Sequence, residues 1–228
     1  MTGSVPGLAG RRTIDQIMPS VGAALGVEGF TNALGLPGFQ RLADSTRRST
    51  EAILHKIAGI RGLRVVGEPA GPLLAVATDP SAALDERVDP HHWADAARGL
   101  GFILQLQPAA AGIPPTTHLT ITPVTEKVLP ELLGVLAKAA DAVRGVPHVD
   151  VSPLLGQLPP LDGSSTAGPL DSDTAAAILG QFGIGAGGAL PDALAPLLAI
   201  IEATPPPLAE RLLTELLARL VEPPAPAG

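Results

Sequence analysis

His55 and Lys56 stand side by side in the stretch EAILHKIAGIRGLRVVGEP, residues 51–69, and a buried lysine amine beside a histidine is a pairing suited to Schiff-base chemistry. An amine becomes a nucleophile near neutral pH only when an apolar pocket or a neighbouring cation depresses its pKa. The chain has three lysines, at 56, 127 and 138, so amine catalysis rests mainly on Lys56. His91 and His92 are adjacent, and adjacent helical residues diverge by about 100°, so the pair does not converge on one ion and both read as solvated. His118, in TTHLTIT, alternates with Leu119 and reads as a structural histidine, because no acid, nucleophile or second histidine lies in its motif. GIGAGG at 183–188 has the glycines of a phosphate cradle, yet no strand leads into it and no Lys-Ser/Thr follows, so it reads as a flexible break. No metal-ligand set emerges. The chain has no cysteine, which excludes thiolate nucleophiles, disulfides and cysteine-based metal sites, and it has no G-x-S-x-G elbow.

These residues are positioned by elements that can be read from periodicity. Ile14, Ile17, Met18, Val21, Ala24 and Leu25 recur at helical spacing and predict a helix over 13–34, capped by Thr13 and stopped by Gly35 and Pro37. A second helix over 38–60 carries the stripe Phe39, Leu42, Thr46, Ser49, Ile53, Ile57 and Ile60. His55 falls opposite this stripe, and Lys56 lies at its flank with its stem free to cover apolar surface. The period then changes: 63–68 and 71–79 read as a hairpin-like pair of strands. Asp89 and Pro90 open a helix to Gly99, strands follow at 101–108 and 117–123, and a helix runs over 126–143.

That order predicts an α+β layer over 1–145, a mostly antiparallel sheet with helices on one face. Residues 146–172 are rich in Pro, Gly and Ser and read as a linker, 173–221 as a helical appendix, and 222–228 as a disordered tail. With 46% hydrophobic residues the chain has material for one solid core. Its net charge of −7, with no basic run interleaved with aromatics, argues against nucleic acid as a partner. No window approaches the ~18 apolar residues of a membrane span, and the N-terminus lacks the pattern of a signal peptide, so the expected location is cytoplasmic.

The ordered set PGLAGRR (6–12), LGVEGF (25–30), IAGIRGLRVVGEP (57–69), ARGLGFILQLQP (97–108) and TTHLTITPVT (116–125) resembles the C-terminal part of pyridoxal-phosphate-dependent lyases. The similarity is greatest to the sphingosine-1-phosphate lyase branch of the group II decarboxylases. It covers about residues 5–145 and, more faintly, LGQFGIGAG in the appendix. The resemblance implies the small C-terminal domain of a fold-type-I enzyme, dimeric and using pyridoxal phosphate as the electron sink for a carbanion formed by carbon–carbon cleavage. It implies that Gly10 and Arg12 approach the cofactor phosphate across the subunit interface. It also assigns the Schiff-base lysine to a large domain, which makes Lys56 a surface helix residue. Activity would then require a large-domain partner chain or segment, and the stripe from Ile14 to Leu25 would be covered by it or by self-association. The competing expectation is a non-enzymatic α+β interaction or ligand-sensing module of the same ancestry.

Overall fold

The computed structural model describes residues 27–110, 112–155, 172–180 and 193–221. Its first helix, α1 (Val27–Ala58), is interrupted at Gly35, whose φ of 44° and ψ of −170° lie outside helical space. The break falls where the sequence places it, because Pro37 supplies no N–H to the preceding turn and Gly35 accepts the left-handed backbone. Of the helix expected over 13–34, residues 27–34 form the first part of α1, and 13–26 lie outside the described residues. Beyond the break, Ser45, Ser49, Ile53 and Ile57 form the buried line, four residues apart. Phe39 and Leu42, expected on that line, are 54% and 36% exposed, because the core begins one helical turn further along.

Four strands follow in a single antiparallel sheet of order β1-β2-β4-β3: β1 (Leu63–Val65), β2 (Leu73–Thr78), β3 (Gln105–Gln107) and β4 (Thr116–Thr120). The register aligns Val65, Val76, Thr117 and Leu106 in one row across all four strands. With Leu74 opposite Leu119, this face packs against Ile53 and Ile57 of α1, Trp93 and Ala97 of α2 (Pro90–Gly99), and Leu136 and Ala140 of α3 (Thr125–Ala142). Trp93 is fully buried and donates its indole N–H to the Leu136 carbonyl at 2.9 Å, tying α2 to α3.

Strand β3 is shorter than the expected 101–108 because its first half ends a helix. Gly101, at φ 92°, donates to Arg98 O, and Phe102 donates to Ala97 O, the paired bonds of a Schellman stop. Gly62 is required for a different reason. Its φ is +89°, and a Cβ there would lie 2.0 Å from the Glu86 carbonyl oxygen, so the β1 entry and the loop before α2 pass at backbone contact.

The linker expected over 146–172 begins as docked chain. The Gly145 N–H is bonded to Arg87 O at 2.8 Å, Val151 is buried, and α4 (Ser152–Leu155) follows; 156–171 lie outside the described residues. The appendix comprises α5 (Ser172–Gly180), α6 (Ala195–Ala203) and α7 (Pro206–Val221). Val151, Ala175, Ala199, Ile200 and Leu212 form one small core, and Leu179, Leu197, Ile201 and Leu216 form another. Helix α6 is apolar on most sides and sits between these helices and the α+β body. Its N-terminal residue Leu194 offers no side-chain cap, and Asp95 of α2 does so instead, accepting from the backbone N–H groups of Leu194 and Ala195. Among the described residues no helix is long and apolar enough to cross a membrane.

Candidate functional site

The densest group of ionisable side chains lies where 145–151 and α6 meet the start of α2. Asp89 is the N-cap of α2: its Oδ1 accepts from His91 N and His92 N, both at 2.9 Å, and Pro90 at the first helical position needs no partner. This leaves Oδ2, which faces His148 Nδ1 at 2.8 Å. His148 Nε2 in turn lies 3.0 Å from Glu202 Oε2 on α6. Both carboxylates are nearly buried, with 8% and 11% of their side chains exposed. His148 thus bridges the two carboxylates, one through each ring nitrogen. Glu202 has a second anchor, the Ala109 N–H at 2.9 Å to Oε1.

His91 completes the group. It is fully buried, which corrects the solvated placement expected for it, because its ring is directed under β3, where Nε2 meets the Gln107 carbonyl at 2.9 Å. A carbonyl can only accept, so Nε2 carries the hydrogen and Nδ1 holds a lone pair. That Nδ1 has no hydrogen-bond partner, and the nearest carboxylate oxygen, Glu202 Oε1, is 3.9 Å away. His92 is half-buried, against the same expectation, with Nε2 3.2 Å from the Pro147 carbonyl. The two adjacent histidines do diverge, and the convergence is instead of Asp89, His91 and His148, each with one ligand-type atom within 4.8 Å of the others.

The remaining sequence candidates are placed apart. His118 is half-buried on the opposite face of β4, with Nε2 3.1 Å from Thr116 Oγ1, and borders a groove of about 280 Å³ together with Ile103, Gln105 and Val128. Lys56 is half-buried at the C-terminal end of α1, and His55 beside it is exposed. A groove of about 550 Å³ between α1 and α3 is bordered by Arg41, Arg48, Glu126 and Lys127. Within it Glu126 accepts from Ser45 Oγ at 2.5 Å and from Arg48 at 2.8 Å, and these two donors hold its carboxyl below the ordinary glutamate range. Gly10, Arg12 and the GIGAGG stretch lie outside the described residues. His148 and Glu202 escaped the sequence reading. His148 is 59 residues from Asp89, and local spacing cannot connect them. Glu202 did leave a signal, as the one charged residue in the apolar run APLLAIIEA.

Residues 150–219 match the family model described as "Pyridoxal-dependent enzyme, C-terminal putative HTH domain". That segment, under a third of the chain, is what is similar to the C-terminal domain of pyridoxal-dependent enzymes. Partial similarity extends to solved structures. Glutamate decarboxylase of Lactobacillus brevis is 12% identical, with 55% of this chain and 29% of that one covered at a TM-score of 0.47. Sphingosine-1-phosphate lyase of Burkholderia pseudomallei is 22% identical, with 60% and 27% covered at a TM-score of 0.43. The chain therefore spans less than a third of the length of either. Among curated proteins nothing matches. The α+β body with its antiparallel sheet agrees with the fold class expected from the sequence.

Pyridoxal phosphate needs an amine, a carboxylate for its ring nitrogen and a phosphate cradle converging in one enclosed site. Lys56 is half-buried on α1, and Lys127 and Lys138 are exposed on α3. The fully buried, unpartnered Nδ1 of His91 belongs to a cluster that contains no lysine. The described residues thus do not fit the cofactor, and no catalytic step is derived through it.

Proposed function

We propose that this chain is the closing, C-terminal domain of a pyridoxal-phosphate-dependent carbon–carbon lyase or decarboxylase of the sphingosine-1-phosphate lyase kind, inactive without a large domain. The observation that carries the reading is the match over 150–219, together with the ordered segments that resemble the same family from residue 6 to residue 125. The large domain, on the same polypeptide or a partner chain, would supply the Schiff-base lysine and the carboxylate for the ring nitrogen. Gly10 and Arg12 would contribute to the phosphate site, with the Arg12 fork suited to phosphate oxygens. The setting would be cytoplasmic and the assembly dimeric.

The helices of the matched segment serve docking in this reading rather than nucleic-acid binding. Residues 150–219 contain eight Asp or Glu and two Arg, the reverse of what a phosphate backbone attracts. Helix α6 is held to the body by Asp95 and Glu202, so its inner face is already committed.

The test is to assay the chain alone, and then with the large-domain polypeptide encoded beside it, on amino acids and phosphorylated amino alcohols with added pyridoxal phosphate. Turnover only in the complemented sample, with borohydride trapping the cofactor on a large-domain lysine, supports the proposal. Stoichiometric labelling of Lys56 in preference to Lys127 and Lys138 would overturn it. A flanking coding sequence unrelated to any such domain would favour the interaction or ligand-sensing module.

A further inference from the structure

We propose that Asp89, His91 and His148 form a zinc-class divalent metal site, with Glu202 in support, that fastens the helical appendix to the α+β body. This departs from the expectation that the chain has no metal ligands, and it stands apart from the pyridoxal reading.

The first ground is the unpartnered, fully buried Nδ1 of His91. A buried imidazole nitrogen with a lone pair and no donor near it forgoes a hydrogen bond that water would have supplied. Its ring is held in the tautomer that a metal ligand requires, because Nε2–H is engaged with the Gln107 carbonyl. His148 repeats the pattern: Nε2 faces Glu202 Oε2, and Nδ1 faces the centre of the cluster. A carboxylate or carbonyl behind each histidine, with the other nitrogen turned inward, is how protein sites orient metal-bound imidazoles.

The second ground is the Asp89 oxygen that the helix cap leaves over, whose one partner is His148. The two backbone N–H groups of the α2 cap occupy Oδ1, and Oδ2 is left for the centre. The ligand-type atoms of Asp89, His91 and His148 lie within 4.8 Å of one another. A tetrahedral zinc with bonds of about 2.0–2.1 Å sets its ligand atoms about 3.3 Å apart. The Asp89–His148 contact, now 2.8 Å, would open slightly, and His148, 38% exposed on a surface segment, has room to move. The fourth position is left to water or to Glu202 Oε1, 3.9 Å from His91 Nδ1.

Charge gives the third ground. Two nearly buried carboxylates, Asp89 and Glu202, converge on His148, a concentration of acceptors that a bound dication would offset. Two imidazoles and a carboxylate suit zinc and neighbouring ions better than magnesium or calcium, which prefer oxygen ligands.

The experiment uses the full chain, free of any histidine tag and stripped with chelator, titrated calorimetrically with Zn²⁺ and, in parallel, with Mg²⁺. One Zn²⁺ per chain, a raised melting temperature and no comparable Mg²⁺ binding are expected. Co²⁺ should give the strong visible absorption of a four-coordinate ion. His148→Ala and Glu202→Gln should each weaken Zn²⁺ binding by about tenfold or more, and His55→Ala should leave it unchanged. Binding that persists in His148→Ala, or that is lost in His55→Ala, overturns the proposal. If His148→Ala fails to fold, the cobalt spectrum of the unsubstituted chain decides, and absence of that absorption overturns the site.

Discussion

Asp95 and Ala195 meet across 100 residues of sequence: the Asp95 Oδ2 accepts the Ala195 N–H at 2.8 Å, while Oδ1 takes the Leu194 N–H at 2.9 Å. A helix whose own N-terminus lacks a capping side chain is thus capped by another helix, and the cap doubles as a tether. Replacing Asp95 by Ala should cost about 0.5–2 kcal/mol. The loss should concentrate in the appendix, read as faster hydrogen exchange in α6 and α7 with exchange in β2 and β4 unchanged. Uniform exchange throughout would show that the tether is not local.

Trp93 is the single tryptophan and fills the centre of the core, so its fluorescence reports unfolding of the body directly. Trp93→Phe removes the indole donor to Leu136 and part of the packed volume. The expected loss is about 1–3 kcal/mol, measured for the variant by denaturant unfolding followed by circular dichroism.

Two glycines of similar backbone conformation separate the demand for space from the demand for a left-handed φ. Gly62, at φ +89°, would place a Cβ 2.0 Å from the Glu86 oxygen, whereas Gly112, at φ +85°, has nothing within 4 Å. Gly112→Ala should therefore cost about 1–2 kcal/mol. Gly62→Ala should cost more, at least about 3 kcal/mol. Parallel thermal melts compare them, and equal effects would contradict the close approach at Gly62.

Glu126 sets an acid limit on the contact between α1 and α3. Ser45 and Arg48 both favour its ionised form and lower its pKa in the folded chain from the ordinary 4.5. A depressed carboxyl stabilises fully above the unfolded value and loses that contribution as pH falls through the folded one. Stability should thus decline below about pH 4.5, and Glu126→Gln should flatten this part of the melting-temperature profile. Since the pair is solvated, added salt should reduce the effect.

What the sequence made legible was local. Gly35 and Pro37 mark a break in α1, Asp89 and Pro90 mark the start of α2, and the alternation in 71–79 marks β2, because each depends on residues a few positions apart. Gly101 was legible as a glycine but not in its role, since a Schellman stop and the start of a strand look alike until the bonds from Gly101 and Phe102 are known. The cluster was hidden for the opposite reason. His91 was read against its neighbour His92, whereas the residues that surround it, Gln107, His148 and Glu202, come from three other segments. Lys56 beside His55 suggests amine chemistry by residue type, while helical phase puts it at a flank; in the fold Lys56 is half-buried and His55 exposed at the end of α1.

The tethers of α6 have a consequence for the order in which the chain folds. Glu202 reaches Ala109 across 93 residues and Asp95 reaches Ala195 across 100, whereas β1 and β2 pair across a short turn. During synthesis at about 5–20 residues per second, the body up to Gly145 is complete some seconds before α6 follows it. Closing so long a loop adds entropy cost only slowly with length, but it must wait for the second partner to exist. For those seconds the Asp95 carboxylate has no amides to hold, and the body must be stable enough to fold without its last three helices. Docking of the appendix thus follows completion of the body, and a chain cut short between Gly145 and Ala195 would have the residues of its sheet but not of its clasp.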